Sequence, residues 1–316
     1  MEEFVDDHLN WRPLSDADSG VVESLRHQIE EFDDPILTTA DHRLGSASAG
    51  AIGGWDHFGN LLAFGWNIAT VDQLARVQLL GGVHPAHRYK GIGSALLRWQ
   101  LTAALRWRDE NHPDRDLWLG CYVDGSQPAL PRILDHLGFV QERYFYDLHR
   151  ELRHLPATRS VDGVRIVAFA DASREDIRLL HNRCFAGPVG SRLVDSEAWD
   201  RLLADDSFRP AWSWVATVDD VPVGYALSRV DEASAVEAPY GWTDRVGVAP
   251  EHRGRGIALA LLTHTLSAMA ADGCRAAGIG VDTTDPAPPS MLEEQLGYEP
   301  RDSLILMSKL VPPRVG

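Results

Sequence analysis

The chain has 316 residues, of which 44% are hydrophobic, and its formal net charge at pH 7 is −16. This length predicts about two domains at roughly 150 residues each, and each half is long enough to bury a core of its own. The acidic balance argues against binding to nucleic acids, which depends on clustered Lys and Arg, and against binding to an anionic membrane surface.

The first half begins with residues 10–18, which predict a short strand, an acidic helix cap and the start of a helix. Further along, an apolar run ends at Gly81-Gly82-Val83, and a proline-containing turn follows. The next residues are Arg88-Tyr89-Lys90-Gly91-Ile92-Gly93-Ser94. Behind them, one face of a helix is predicted by Ile92, Ala95, Leu96 and Trp99. The predicted order is therefore strand, tight loop and helix N-terminus.

The end of the first half carries the turn Leu137-Gly138-Phe139 and then an alternating segment, residues 143–150, that predicts a final strand. Residues 152–160 are polar and contain a proline, which is typical of a boundary between domains. We therefore predict an N-terminal domain at residues 1–155 and a C-terminal domain at residues 156–316.

The second half repeats this order. Residues 165–173 again predict a strand, an acidic cap and a helix. A strand then ends at Val246-Gly247-Val248, and the loop Arg253-Gly254-Arg255-Gly256-Ile257-Ala258 opens a helix with Leu262, Leu266 and Met269 on one face. The turn Leu296-Gly297-Tyr298 follows, and residues 303–308 predict the strand that closes the second domain.

The two loops suit a phosphate group. Glycine allows the backbone to approach a ligand without interference from a Cβ atom, and the first amides of a helix have no partner within the helix. Such a helix start is an anion site. Neither loop matches the P-loop, which needs Gly-Lys-Ser/Thr, or the Gly-x-Gly-x-x-Gly dinucleotide motif. Both resemble instead the acyl-CoA loop of the GNAT superfamily of N-acyltransferases, Gln/Arg-x-x-Gly-x-Gly/Ala, and the resemblance covers nearly the whole chain twice.

This resemblance implies an α/β (α+β) fold with two tandem GNAT domains, each with a mixed, mostly antiparallel central sheet flanked by helices. It also implies acetyl-CoA, or another acyl-CoA, as cofactor, with its pantetheine arm along the strand before each loop and its pyrophosphate on the loop amides. In the first half the implied cofactor-binding residues are Gly81, Gly82, Val83, Arg88, Tyr89, Lys90, Gly91, Ile92, Gly93 and Ser94. In the second half they are Val246, Gly247, Val248, Arg253, Gly254, Arg255, Gly256, Ile257 and Ala258.

The implied reaction is direct attack of a small-molecule primary amine on the thioester, in a ternary complex. Many family members carry a glutamate base six residues before the terminal valine, but Trp242 and Val77 stand there in this chain. Asp244, on the same strand face as Trp242, Val246 and Val248 by simple alternation, is the candidate base. Glu293 occupies the position of the tyrosine that often protonates the thiolate in the family, whereas the first half has Leu134. The second domain is therefore expected to be catalytic.

The resemblance places the acceptor pocket at the first helix, its exit loop and the last strands of the catalytic domain. The candidate substrate-binding residues are Phe185, Tyr240, Trp242 and Tyr298. The segment Asn182–Gly187 is similar to the first-helix exit of a two-repeat member of the family. The negative charge of the chain would favour a cationic acceptor.

Several classes of function are disfavoured. Three scattered cysteines and thirteen histidines show no metal-type spacing, so no metal is expected. We find neither a secretory leader nor an apolar run long enough for a membrane span, so a cytoplasmic protein is expected, as a monomer or a homodimer. Two alternatives to acetyl transfer remain open: a non-catalytic protein that binds or senses acyl-CoA, and a CoA-thioester decarboxylase of the same fold.

Overall fold

The computed structural model describes residues 9–33, 48–124, 127–185, 193–231, 238–284 and 290–313. The strands are β1 (Asn10–Pro13), β2 (Ser48–Trp55), β3 (Leu61–Val71), β4 (Ala75–Val83), β5 (Leu117–Asp124), β6 (Val140–Glu151), β7 (Arg165–Ala168), β8 (Trp214–Val218), β9 (Val221–Val230), β10 (Tyr240–Val248), β11 (Ala276–Thr283) and β12 (Glu299–Val311). The helices are α1 (Ser19–Asp33), α2 (Ile92–Asn111), α3 (Ala129–His136), α4 (Arg174–Cys184), α5 (Ser196–Leu203) and α6 (Ile257–Ala271). Both units combine strands with helices, and α2 and α6 each connect a pair of parallel strands, which confirms the α/β (α+β) class.

The chain forms two compact units: unit 1 contains Met1–Tyr144 and Ser303–Gly316, and unit 2 contains Phe145–Asp302. In unit 1 the strand order is β1-β2-β3-β4-β5-β12, and in unit 2 it is β7-β8-β9-β10-β11-β6. The pairs β4–β5 and β10–β11 are parallel, while the other registered pairs within each unit are antiparallel. Each unit therefore has the mixed, mostly antiparallel sheet that the sequence predicts.

The two units differ from the predicted division between residues 155 and 156, because the last strand of each half of the sequence belongs to the other unit. Residues 304–311 of β12, expected to close the second domain, pair with residues 117–124 of β5 in unit 1. The apolar side chains of β12 explain this pairing, because Met307 is 2% exposed and packs in the unit 1 core that contains Leu119 and Cys121. Conversely, Leu148 of β6 packs in the unit 2 core with Leu266. Each unit is thus completed by a strand from the other half of the sequence.

The helix starts follow the local signals in the sequence. Before α1, the Ser15 and Asp18 side chains form a capping box with each other's backbone amides, so the acidic cap predicted there is present. In α4 the Ser173 hydroxyl accepts a hydrogen bond from the Asp176 amide. Within the described ranges, none of the helices combines the length and the apolar character needed to cross a membrane.

Candidate functional site

The two predicted loops have the same backbone in both units. A short 3-10 turn, Pro85–His87 or Pro250–His252, leads to a glycine N-cap with left-handed backbone, at φ +87° for Gly91 and φ +82° for Gly256. The N-cap glycines provide no capping side chain, and none from another described residue is found there, so the first amides of α2 and α6 are available to a ligand. Two helix N-termini suited to an anion are therefore present, one in each unit.

The loop glycines adjoin open space. A Cβ atom built on Gly91, Gly254 or Gly256 meets no atom within 4 Å. The strand glycines behave differently: a Cβ on Gly81 would lie 2.5 Å from the Phe64 carbonyl oxygen, and one on Gly247 would lie 2.6 Å from the Tyr225 ring. Packing inside each unit therefore accounts for these strand glycines, whereas the loop glycines leave open room.

The motif arginines hold the loops in place. The Arg88 guanidinium donates two hydrogen bonds of 2.7 Å to the Asp33 carboxylate, and its Nε donates to the Val83 carbonyl at 3.1 Å. Arg253 does the same with main-chain acceptors, since its Nε donates to the Val248 carbonyl at 3.2 Å and its Nη2 to the Cys184 carbonyl at 2.9 Å. Both side chains, predicted as cofactor ligands, thus tie the loop to the end of the first helix of their unit.

The strands that lead to the loops pair over only part of their length. The β4–β5 register runs from Ala75 to Gln78, and the β10–β11 register from Tyr240 to Thr243. Beyond these residues each first strand continues for five more positions, to Val83 or Val248. Among the described residues, one edge of β4 and of β10 thus has no registered neighbour before the loop, and it is along these strands that the family resemblance predicts the pantetheine arm.

Unit 1 contains a cavity of about 1590 Å³ that reaches its loop. Its walls are α1, the second half of β4, the end of β5, the loop residues and the start of α3. The volume exceeds the ~300–1,000 Å³ typical of sites for drug-sized ligands, so it is sufficient for an extended thioester. Leu134, the unit 1 counterpart of Glu293, is fully buried in the core, which agrees with the absence of a proton donor predicted at that position.

Asp244 lies at a β-bulge of unit 2. The register of β10 against β9 shifts between Thr243 and Arg245, so Asp244 has no paired residue. Its carboxylate lies 3.2 Å from the Arg245 Nε and 3.5 Å from the Arg229 Nε. The bulge interrupts the expected alternation. Trp242 is paired with Arg229 and Val246 with Ala226, and because these two partners are three positions apart on β9, Trp242 and Val246 lie on opposite faces of the sheet. Asp244 therefore does not share one face with Trp242, Val246 and Val248.

Glu293 lies on a short π-helical turn, Met291–Gln295. Its side chain is half-buried. Among the described residues, no hydrogen bond or ion pair reaches its carboxylate. The structure does not connect Glu293 with Asp244 by any contact between described residues, so its assignment as proton donor stays a prediction.

A buried histidine, which the sequence analysis missed, faces the bulge region. His181 of α4 is 6% exposed, and its Nδ1 lies 2.6 Å from the Tyr225 hydroxyl. Burial, followed by the charge of Arg245, lowers the pKa of His181 to about 4, and burial raises the pKa of Tyr225. His181 is therefore neutral at pH 7. A single histidine within a helical pattern gives no sequence signal for such a pair.

The four predicted substrate residues differ in accessibility. Phe185 is 45% exposed and Trp242 is half-buried with the Arg229 guanidinium 5.8 Å from its ring. In contrast, Tyr240 is buried, and Tyr298, at 1% exposed, belongs to the unit 2 core. Burial raises the pKa of Tyr240 to about 12 and also raises the pKa of Tyr298. Phe185 and Trp242 are thus the more accessible two of this set, and the role of all four in substrate binding stays a prediction.

The three cysteines are buried free thiols. Cys121, Cys184 and Cys274 are buried and unpaired, and burial raises the pKa of the Cys121 thiol to about 12. No group of three or more His, Cys, Asp or Glu side chains within those ranges is arranged to hold a metal ion.

Comparison with known proteins identifies the family. The family model described as the acetyltransferase (GNAT) family matches residues 174–298, which lie in unit 2. A mycothiol acetyltransferase from Thermobispora bispora is 30% identical over 219 residues, which cover 68% of this chain and 70% of that protein. The chain belongs to the GNAT family of acetyltransferases. This GNAT protein is therefore an acyltransferase, and its similarity to mycothiol synthase at Asn182–Gly187 agrees with the name of the Thermobispora relative.

Solved structures show the same fold over the full length. A GCN5-related N-acetyltransferase from Sphaerobacter thermophilus aligns with a TM-score of 0.70 at 20% identity, covering 98% of both chains. The tandem GNAT protein of the clavulanic acid biosynthesis pathway aligns with a TM-score of 0.59 at 18% identity, covering 98% of this chain and all of the other. At these identities the likeness concerns the fold, and it supports the tandem arrangement of this GNAT protein.

Proposed function

We propose that this GNAT enzyme transfers an acetyl group from acetyl-CoA to the primary amine of a small molecule, by direct attack in a ternary complex. The observation that carries the proposal is the pair of glycine-capped helix starts, each open to a ligand at the end of a strand with one unpaired edge. The relatives named mycothiol acetyltransferase support acetyl transfer as the reaction.

Each unit supplies a cradle for acyl-CoA in this proposal. The loop amides of residues 88–94 and 253–259 would hold the pyrophosphate, and the unpaired edges of β4 and β10 would pair with the pantetheine arm. Acetyl-CoA supplies the activated acyl group as a thioester. Because the guanidinium groups of Arg88 and Arg253 already hydrogen-bond to Asp33 and to the Cys184 carbonyl, their contribution is to fix the loop conformation, and the backbone amides make the contacts.

We place the chemistry in unit 2, where the loop lies within the family-model match and a carboxylate lies at the bulge. An amine is protonated at neutral pH, so a base must remove a proton before attack on the thioester. Asp244 is the proposed base, and its two arginine neighbours orient the carboxylate. Glu293 is the proposed donor to the departing thiolate. Holding amine and thioester in attack geometry supplies most of the acceleration.

Thiol release from acetyl-CoA across a panel of primary amines tests the function. The panel includes polyamines, aminosugars, amino-acid conjugates and the amine precursor of mycothiol, since the relatives are named for mycothiol acetylation. We expect release only when one of these acceptors is present, together with the N-acetylated product. Binding without turnover would instead favour a sensing protein. Consumption of malonyl-CoA without any acceptor would favour a decarboxylase.

Asp244→Asn should lower turnover by about 10²- to 10⁴-fold, the usual contribution of general acid–base catalysis. Without the base, only acceptor molecules that are already neutral can react, so the remaining activity should rise with pH beyond the range where the parent enzyme levels off. The measurement is kcat against pH with the best acceptor. Asp231→Asn, which changes another carboxylate of unit 2, serves as the control. An unchanged pH profile in Asp244→Asn would remove Asp244 as the base.

A further inference from the structure

We infer that Tyr89 of the unit 1 loop binds the adenine ring of acyl-CoA by stacking, and so selects for the nucleotide end of the cofactor. This inference rests on the proposed binding of acyl-CoA by unit 1. Three observations on Tyr89 support it: its backbone conformation, the exposure of its ring and its place at the cavity.

The backbone of Tyr89 is left-handed, with φ +61°. Such a conformation is disfavoured for a bulky residue and easy for glycine. The second loop has Gly254 at the matching position, with φ +74°. The loop therefore needs a left-handed backbone at this position in both units. Unit 2 has glycine there, which adopts this conformation easily, whereas unit 1 has tyrosine, which does not. Strained positions that persist in this way occur most often at functional sites.

The Tyr89 ring contributes no packing to the fold. The residue is 89% exposed, and no hydrogen bond or ring contact to it is found among the described residues. It nevertheless lines the large cavity of unit 1. Phe32, another aromatic at this cavity, is 70% exposed but has the Arg88 guanidinium 5.6 Å from its ring centre. Of these two highly exposed aromatics, Tyr89 is therefore the one for which no cation over the ring is found among the described residues.

The chemistry of coenzyme A fits this position. Its pyrophosphate joins the pantetheine arm to adenosine, so a pyrophosphate on the first amides of α2 brings the adenine close to the loop. Tyr89 lies two residues before the N-cap Gly91. An aromatic side chain can stack on a base without any specific hydrogen bond, as in proteins that bind single-stranded nucleic acids. The exposed ring would then give adenine a flat surface outside the part of the cavity that holds the thioester.

The test uses the full-length Gly256→Asp chain, in which the unit 2 loop is blocked and acyl-CoA binding reports unit 1. In this background we compare Tyr89 with Tyr89→Gly, which copies Gly254, and with Tyr89→Phe, which keeps the ring. Calorimetry measures the Kd of acetyl-CoA and of acetyl-4′-phosphopantetheine, which lacks the adenosine. Thermal denaturation without ligand checks the fold of each variant.

Tyr89→Gly should weaken acetyl-CoA binding by about tenfold, the lower part of the range for base–aromatic stacking, while Tyr89→Phe binds like the parent. All three chains should bind acetyl-4′-phosphopantetheine equally and remain folded without ligand, although the unfolding temperature of Tyr89→Gly shifts because glycine relieves the left-handed strain at this position. Equal acetyl-CoA affinity in Tyr89→Gly, or equal weakening for both ligands, would overturn the stacking role. A Gly256→Asp chain that binds no acetyl-CoA at all would overturn the unit 1 cofactor site together with this inference.

Discussion

Gly256→Asp is expected to abolish acetyl transfer, whereas Gly91→Asp is expected to leave most of it. The new carboxylate would stand where the unit 2 loop receives the pyrophosphate. Two unit charges ~4 Å apart repel by about 4 kcal/mol at an effective dielectric constant of ~20, which corresponds to about a thousandfold in affinity. The measurement is the initial rate of amine-dependent thiol release at several concentrations of acetyl-CoA.

The two substitutions form a matched pair, because the glycines share their geometry. Both are N-caps with φ near +85°, and a Cβ atom on either meets nothing within 4 Å. Backbone strain therefore cancels between them, and a difference in activity reports which unit works. Gly256→Asn, which adds a side chain of the same shape without charge, is the control for charge repulsion. Equal loss from Gly91→Asp and Gly256→Asp would show that unit 2 is not the sole site of the chemistry.

Deletion of residues 303–316 is expected to unfold unit 1 and to leave unit 2 folded. The deletion removes the strand that pairs with β5 from Leu117 to Asp124. It also removes the buried side chains of Leu304, Leu306 and Met307. Burial of each such side chain stabilises the folded state by about 1.5–3 kcal/mol. The stabilisation lost with these three side chains is therefore comparable with the ~5–15 kcal/mol free energy of unfolding of a domain.

The same deletion removes two acceptors of the buried Arg108 guanidinium, which among the described residues keeps only the Arg115 carbonyl for its Nη1 and the Asp109 carboxylate for its Nε. The Arg108 side chain is 1% exposed, and its Nη1 donates to the carbonyls of Val311 and Pro312. A buried donor without an acceptor carries the full cost of its desolvation. Hydrogen exchange followed by mass spectrometry measures the outcome: protection should vanish in β3 to β5 and persist in β8 to β11. Deletion of residues 314–316 alone is the control. Retained protection in β4 and β5 would contradict the structural role of β12.

The parts of the site that local sequence patterns determine were predicted well. The order strand, loop and helix around Gly91 and Gly256 follows from glycine conformational freedom and from helix periodicity, and α2 and α6 begin one residue after these glycines. The acidic cap before α1 is equally local, since Ser15 and Asp18 are three residues apart.

Features that depend on partners distant in sequence were not predictable in this way. Alternation predicted Trp242 on the same face as Val246 and Val248, but a bulge separates them, and it is set by the partner strand β9, which the sequence of β10 does not reveal. Residues 143–150 and 303–308 were recognised as strands, yet their own pattern does not state which sheet they join. The His181–Tyr225 contact joins residues 44 positions apart and leaves no pattern at all.

The pairing of β12 with β5 has a consequence for the order in which the protein folds during synthesis. Leu304 pairs with Asp124, which is 180 positions earlier in the chain. Domains usually fold from the N-terminus as the ribosome releases them. Here the unit that emerges first cannot close its sheet until residues 304–311 emerge, and by then every residue of unit 2 has been synthesised. Until then the backbone amides and carbonyls on one edge of β5 have no partner strand, and unpaired strand edges of this kind promote aggregation.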